Sequence, residues 1–118
     1  MARVLIVDDD RDTVDLLGVL LTMDGHDVLL AADGEEALQL QRGWPADVIV
    51  VDMRMPRLDG AGTISHLRGG FPNVKIIAIS GDAGLLVDAK ARGAQLGVMK
   101  PFDPSGLADA VRTLLETS

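Results

Sequence analysis

The sequence predicts an α/β fold: a doubly wound, three-layer domain with five parallel strands in the order 2-1-3-4-5 and five helices covering both sheet faces. Three observations lead there. Short aliphatic runs alternate five times with stretches of helical spacing, and parallel strands require such crossovers between them. Several of the runs are continuously apolar, as strands covered on both faces are. Acids, a hydroxyl and an amine follow four of the runs, where a sheet of this kind collects its ligands.

Each element has its own signal. Arg3–Val7 reads as the first strand and runs into Asp8, Asp9 and Asp10. Val14, Leu17 and Leu21 then recur at helical spacing, with Asp10 placed to cap that helix or to charge its N-terminus. After Gly25, His26–Ala31 forms the second strand. Asp33-Gly-Glu-Glu36 is a capping box ahead of Ala37, Leu38 and Gln41, and Gly43 closes the second helix. Asp47–Val51 is the third strand, ending at Asp52. Asp59-Gly60 caps a third helix carrying Ile64 and Leu67, which closes at Gly70. Val74–Ile79 is the fourth strand and leads to Ser80, Gly81 and Asp82. Leu86, Ala89 and Lys90 mark the fourth helix, closed by Gly93, and Leu96–Met99 is a weaker fifth strand ending at Lys100-Pro101. Asp103-Pro104 supplies a cap and a first-turn proline before Leu107, Val111 and Leu114. The right-handed crossover rule leaves few windings of these ten elements, and 2-1-3-4-5 is the expected one.

Composition narrows the function. At 118 residues the chain is expected to be one domain, 1–118, with no output domain, since neither a linker nor an internal repeat interrupts it. It has no cysteine, which excludes disulfides and thiolate metal sites. The longest aliphatic runs, such as Val4–Val7 and Ile76–Ile79, fall far short of the ~20 residues that span a bilayer. A soluble protein in the cytoplasm, with no membrane partner, is the expectation. Eleven basic against 18 acidic side chains give a net charge of −7, which repels nucleic acid and favours cations or protein partners. Trp44, Phe71 and Phe102 read as packing residues at element edges, and His26 and His66 as exposed residues without chemistry.

The winding reverses between the first and third strands, so Asp8, Asp9 and Asp52 are expected to meet there with Lys100 nearby. Three carboxylates against one ammonium is an unbalanced set, because two like charges 4 Å apart cost about 4 kcal/mol at an effective dielectric near 20. Either one carboxyl keeps its proton or a hard divalent cation sits among the oxygens. Magnesium suits the second case, and it also accepts phosphate oxygens.

Asp52-Met-Arg-Met-Pro-Arg-Leu-Asp-Gly60, the upstream acids, Ser80 after an apolar strand and Lys100-Pro-Phe102 together resemble the CheY-like receiver domains of two-component response regulators. The resemblance covers the whole chain. It implies that Asp52 accepts a phosphoryl group from the phosphohistidine of a sensor histidine kinase or phosphotransfer protein. Asp8, Asp9, Asp52 and the Arg54 backbone carbonyl would hold Mg2+, with Mn2+ as a substitute. Ser80 would bond the phosphoryl group and Lys100 would pair with it. An unidentified protein would be the downstream target, and the domain would be a monomer or weak dimer that transfers and loses its own phosphoryl group without being an enzyme on other substrates. The Lys100–Pro101 bond is a candidate cis peptide.

Three positions are read as modulators. Receiver domains often carry an aromatic residue three places before the lysine, and here that position is Gly97. An aromatic switch is therefore absent, the fifth strand is expected to be softened, and the output surface weak or differently placed. Arg54 and Asp82, two residues beyond Asp52 and Ser80, overhang the site and are expected to pair as a partial lid, while Gly81 leaves the cleft open. The rival readings are a pseudo-receiver that never takes phosphate, a flavodoxin-like carrier of flavin mononucleotide at the same switch point, and a small phosphatase. The chain lacks the hydroxyl-rich loop and tyrosines that a flavin wants, and Arg54 stands where a phosphatase places its general acid.

Overall fold

The computed structural model of the protein describes residues 2–54 and 59–116. The strands are β1 (Arg3–Val7), β2 (Asp27–Ala31), β3 (Val48–Asp52), β4 (Lys75–Ser80) and β5 (Leu96–Met99). They pair in parallel in the order β2-β1-β3-β4-β5. The helices are α1 (Arg11–Met23), α2 (Gly34–Gly43), α3 (Gly60–Gly70), α4 (Ala83–Arg92) and α5 (Pro104–Glu116). The predicted fold class, strand order and element count all hold for the described residues.

Strand alternation divides the core in two. Leu5, Ile49, Val51 and Ile76 pack against α2, α3 and α4, while Val4, Ile6, Val50 and Ile77 pack against α1 and α5. Burying this aliphatic surface on both faces is the main stabilising term of the fold, at about 25 cal/mol per Å². Gln41 sits in this interior and is satisfied by one backbone residue, accepting from the Ala46 N–H at 2.8 Å and donating to its carbonyl at 3.3 Å. Trp44, Phe71 and Phe102 lie half-buried at the margins of the two clusters, as expected.

The bounds of three strands differ by one residue from the sequence reading. β2 starts at Asp27 rather than His26, while β3 and β4 run on to include Asp52 and Ser80. Their ladders explain this: Asp52 pairs with Ile79 and Ser80 with Met99, so backbone pairing continues one residue past the apolar run. His26 also departs from expectation. It is half-buried, and its Nδ1 accepts the Ala2 N–H at 3.3 Å. His66 is exposed.

The caps behave largely as read. Asp10, Asp33 and Asp59 each accept a backbone N–H in the first turn of α1, α2 and α3, and Asp103 accepts the Ser105 N–H at 3.0 Å. Gly25 and Gly93 close their helices with φ of 91° and 123°, the left-handed region that favours glycine. Gly43 and Gly70 instead are the last helical residues, followed by Trp44 and Phe71 in non-helical conformations. The Lys100–Pro101 peptide is cis.

Candidate functional site

The site is assembled by strand register. Val7 pairs with Val51, so the next residues, Asp8 and Asp52, stand side by side at the carboxyl ends of β1 and β3. Three neighbouring strand ends then close with the same local device, a side chain accepting the N–H two residues on. Asp8 Oδ1 accepts from Asp10 at 2.8 Å, Asp52 Oδ1 from Arg54 at 3.1 Å, and Ser80 Oγ from Asp82 at 2.9 Å. Each turn fixes one oxygen of its side chain and aims the rest into the rim.

One ligand oxygen from each of Asp8, Asp9 and Asp52 lies within 4.8 Å of the other two. Asp8 and Asp52 are buried at 4% exposure each, whereas Asp9 is exposed and closes the cluster from the solvent side. Lys100, carried at the end of β5, places Nζ 3.0 Å from Asp52 Oδ2. Ser80, at 1% exposure, ends the strand between them. The structure thus brings together Asp8, Asp9, Asp52 and Lys100, with Ser80 on the same rim.

Charge is poorly balanced inside this cluster. Burial pushes the Asp8 carboxyl up to about 7, against the pull of its bond from the Asp10 N–H, and the neighbouring Asp52 carboxylate pushes in the same direction. Burial lowers the affinity of Lys100 for its proton, but the bond to Asp52 and the charges of Asp52, Asp8 and Asp10 outweigh it and raise its pKa. Among the described residues, Asp8 Oδ2 is the one buried side-chain oxygen with no hydrogen-bond partner. Its polar neighbour is the Asp52 carboxyl, which is itself an acceptor unless a proton is shared between the two. A hard cation would satisfy that orphaned oxygen, and an all-oxygen donor set of two buried acids and one exposed acid suits one that keeps several waters. The residues present therefore fit magnesium.

The overhanging loops carry the predicted pair: Arg54 Nη2 lies 3.5 Å from Asp82 Oδ2, both well exposed. Asp82 does more than the sequence suggests, since its Oδ1 caps α4 through the N–H groups of Gly84 and Leu85. A Cβ on Gly81 would meet nothing within 4 Å, so the cleft is open there. The space beside Gly97 is occupied. Leu86 of α4 fills it, and a Cβ at 97 would stand 3.3 Å from Leu86 Cβ.

Two contributions escape a reading of the sequence. Gly60 shows there only as part of a cap, yet a Cβ on it would fall 2.5 Å from Met53 Cα and 2.8 Å from the Asp52 carbonyl oxygen. The start of α3 is pressed onto the backbone that carries the Asp52 side chain, a closeness that the Asp-Gly pair signals only weakly. The Leu86–Gly97 contact has no local signal at all. Met55–Leu58, the middle of the Asp52–Gly60 motif, lies outside the described residues.

The family model of the response regulator receiver domain matches residues 4–112. The chain belongs to the response regulator receiver domain family. Receiver domains are CheY-like signalling modules of two-component systems rather than classical enzymes, and magnesium in an acidic pocket and phosphoaspartate are general features of the family. This receiver domain is 37% identical over 115 residues to the probable transcriptional regulator ycf27 of Guillardia theta, covering 96% of this chain and 45% of that protein. Its fold is similar to that of the receiver domain of NtrX from Brucella abortus, with a TM-score of 0.92, 30% identity, and coverage of 98% of this chain and 99% of that one. It is also similar to a CheY-like receiver domain protein from Methanospirillum hungatei, with a TM-score of 0.94, 26% identity, and coverage of 99% and 95%. The chain spans about half the length of the curated relatives it matches. Family membership displaces the flavin-carrier reading. Among the described residues no helix is long and apolar enough to cross a membrane.

Proposed function

We propose that this receiver domain is a working phosphoacceptor, taking a phosphoryl group on Asp52 from the phosphohistidine of a sensor histidine kinase or phosphotransfer protein. The observation that carries the reading is the Asp8–Asp9–Asp52 cluster, with Asp8 Oδ2 orphaned inside it and Lys100 Nζ 3.0 Å from Asp52 Oδ2. A pseudo-receiver has no use for such an arrangement.

Asp8, Asp9, Asp52 and the Arg54 carbonyl would hold Mg2+, or Mn2+ in its place. Bound there, the ion would neutralise charge on the transferring oxygens and polarise the phosphorus they surround. The chain's own residues do the rest. One Asp52 carboxylate oxygen is the nucleophile: it forms a bond to phosphorus as the phosphorus–nitrogen bond to the donor histidine breaks, and the electron pair leaves with the imidazole. Lys100, already paired with Asp52, is placed to follow the new negative charge onto the phosphoryl oxygens. Ser80 can donate its hydroxyl proton to one of them. The Arg54–Asp82 pair shields the acyl phosphate from water, and hydrolysis returns the carboxylate. The product adds about one negative charge and three acceptor oxygens at the rim, a local change able to bias protein contacts.

Protein partners in the cytoplasm fit a chain with a net charge of −7 better than nucleic acid does. The deciding experiment is incubation with Mg2+ and a small acyl-phosphate donor, followed by intact mass. A gain of one phosphoryl group in the native chain and none in Asp52→Asn is expected. No gain in either leaves a pseudo-receiver.

A further inference from the structure

A second concave site lies at the opposite pole of the sheet from Asp52. Where β1, β2, β3 and β4 begin, a cleft of about 720 Å³ opens beside the ends of α2, α3 and α5, with Gln41, Phe71 and Leu115 in its lining. That volume lies within the roughly 300–1,000 Å³ of pockets that take small organic ligands. Its walls are fixed in advance. Arg68 donates from Nη1 to the Pro72 and Val74 carbonyls, at 2.8 Å each, and so holds the loop from α3 to β4 with charge-assisted bonds. Gln41 is held by its two bonds to Ala46.

Two side chains of the lining fold back over the start of β1. His26 Nδ1 accepts the Ala2 N–H at 3.3 Å from the β2 side, and Asp47 Oδ2 accepts the Arg3 N–H at 2.9 Å from the β3 side. Each keeps a second polar atom. A neutral imidazole that accepts at Nδ1 carries its proton on Nε2, so His26 has a donor left, and Asp47 has an acceptor in Oδ1. Lys75 and Asn73 line the same cleft. Among the described residues Lys75 forms no ion pair and the Asn73 amide no hydrogen bond. The lining thus sets one ammonium and one imidazole N–H against one carboxylate oxygen, with Phe71 and Leu115 as apolar surface between the polar groups and the helices.

We infer that this cleft binds a small zwitterion of dipeptide size, its carboxylate at Lys75 and His26 Nε2, its ammonium at Asp47 Oδ1 and an apolar side chain against Phe71 and Leu115. Charge selects this class. A plain anion would meet Asp47 and the repulsion of a chain with a net charge of −7, and a plain cation would meet Lys75. A ligand with one charge of each sign satisfies both. The volume takes two amino-acid units more readily than one, and the amide that joins them can bond the Asn73 side chain, which donates and accepts. No residue of the Asp8–Asp9–Asp52 cluster lines the cleft, so the inference stands apart from the phosphoacceptor reading.

Titration of the isotope-labelled full chain with leucyl-phenylalanine, read by two-dimensional amide NMR, tests this beside two controls: the C-terminal amide of the dipeptide and its N-acetyl form, each lacking one charge. The free dipeptide is expected to give saturable shifts at His26, Asp47 and residues 71–75, with Asp8, Asp9 and Asp52 unmoved. Either capped form should bind about threefold or more weakly, the size of effect that one partly exposed ion pair supplies. Lys75→Met is expected to abolish the advantage of the free carboxylate. Asp47→Asn, which keeps an oxygen for the Arg3 N–H, should abolish that of the free ammonium. No saturable shift in the wild type up to the solubility limit of the dipeptide overturns the site, as do shifts centred on Asp8 and Asp52. Equal affinity for all three forms overturns the zwitterion, and the wild type alone is enough to decide this if a variant fails to fold.

Discussion

Lys100 Nζ lies 3.0 Å from Asp52 Oδ2 although 48 residues separate the two in sequence. The contact joins the ends of β5 and β3 across the end of β4, and it sets the cation where charge would build during transfer. Lys100→Ala removes that cation and leaves the three acids of the cluster intact. The rate of phosphorylation by a small acyl-phosphate donor is expected to fall at least tenfold, while Mg2+ still binds. Stopped-flow phosphorylation beside a metal titration checks it; an unchanged rate would remove Lys100 from the site.

Asp8 makes stability depend on pH in a direction that can be worked out. Its carboxyl rises from 3.8 to about 7 on folding, so the metal-free fold prefers it protonated. That contribution is full below the unfolded value and is lost as pH rises through about 7. Metal-free wild type should therefore lose stability relative to Asp8→Asn across this window, and Mg2+ should restore it near pH 8 far more than near pH 5. Urea titrations of both proteins with and without Mg2+ measure the difference. Parallel pH profiles for the two would contradict the account.

Gly60→Ala puts a methyl group where Met53 Cα and the Asp52 carbonyl already stand. The helix start must retreat, at a cost of about 1–3 kcal/mol typical of overpacking. Because the displaced backbone carries Asp52, Mg2+ affinity is expected to drop as well. A thermal melt and a metal titration on the same sample separate the two effects, and a variant as stable and as tight as wild type would refute the close approach.

The Arg54–Asp82 pair is exposed, so its strength lies between about 0 and 1 kcal/mol. Arg54→Ala is expected to shorten the lifetime of the acyl phosphate by no more than about fivefold. Asp82→Asn, which keeps an oxygen to cap α4, should do the same without loss of helix. Lifetimes equal to wild type in both would dispose of the lid.

Much of this molecule is legible in the chain. The strands announce themselves because a parallel sheet covered on both faces demands continuous aliphatic runs, as at Val48–Val51 and Ile76–Ile79. The rim acids announce themselves because they interrupt those runs at their carboxyl ends. Asp33, Asp59 and Asp10 are readable as caps, since an N-cap acts within three residues of itself. Errors of one residue at the ends of β3 and β4 arise where a polar residue joins a ladder for the sake of its neighbour's backbone, a matter between strands rather than within one.

By itself the sequence determined the fold class, the order of elements and the identity of the residues at the rim, because periodicity, caps and the crossover rule act locally or through winding. The tertiary structure alone decided that Asp8 Oδ2 is left without a partner, that Gly60 bears on the Asp52 backbone, that Leu86 covers Gly97, and that one guanidinium holds the loop between α3 and β4. These depend on distances between segments that no local pattern encodes. Burial and approach are properties of the packed chain, and they set the charge state and freedom of movement on which the site depends.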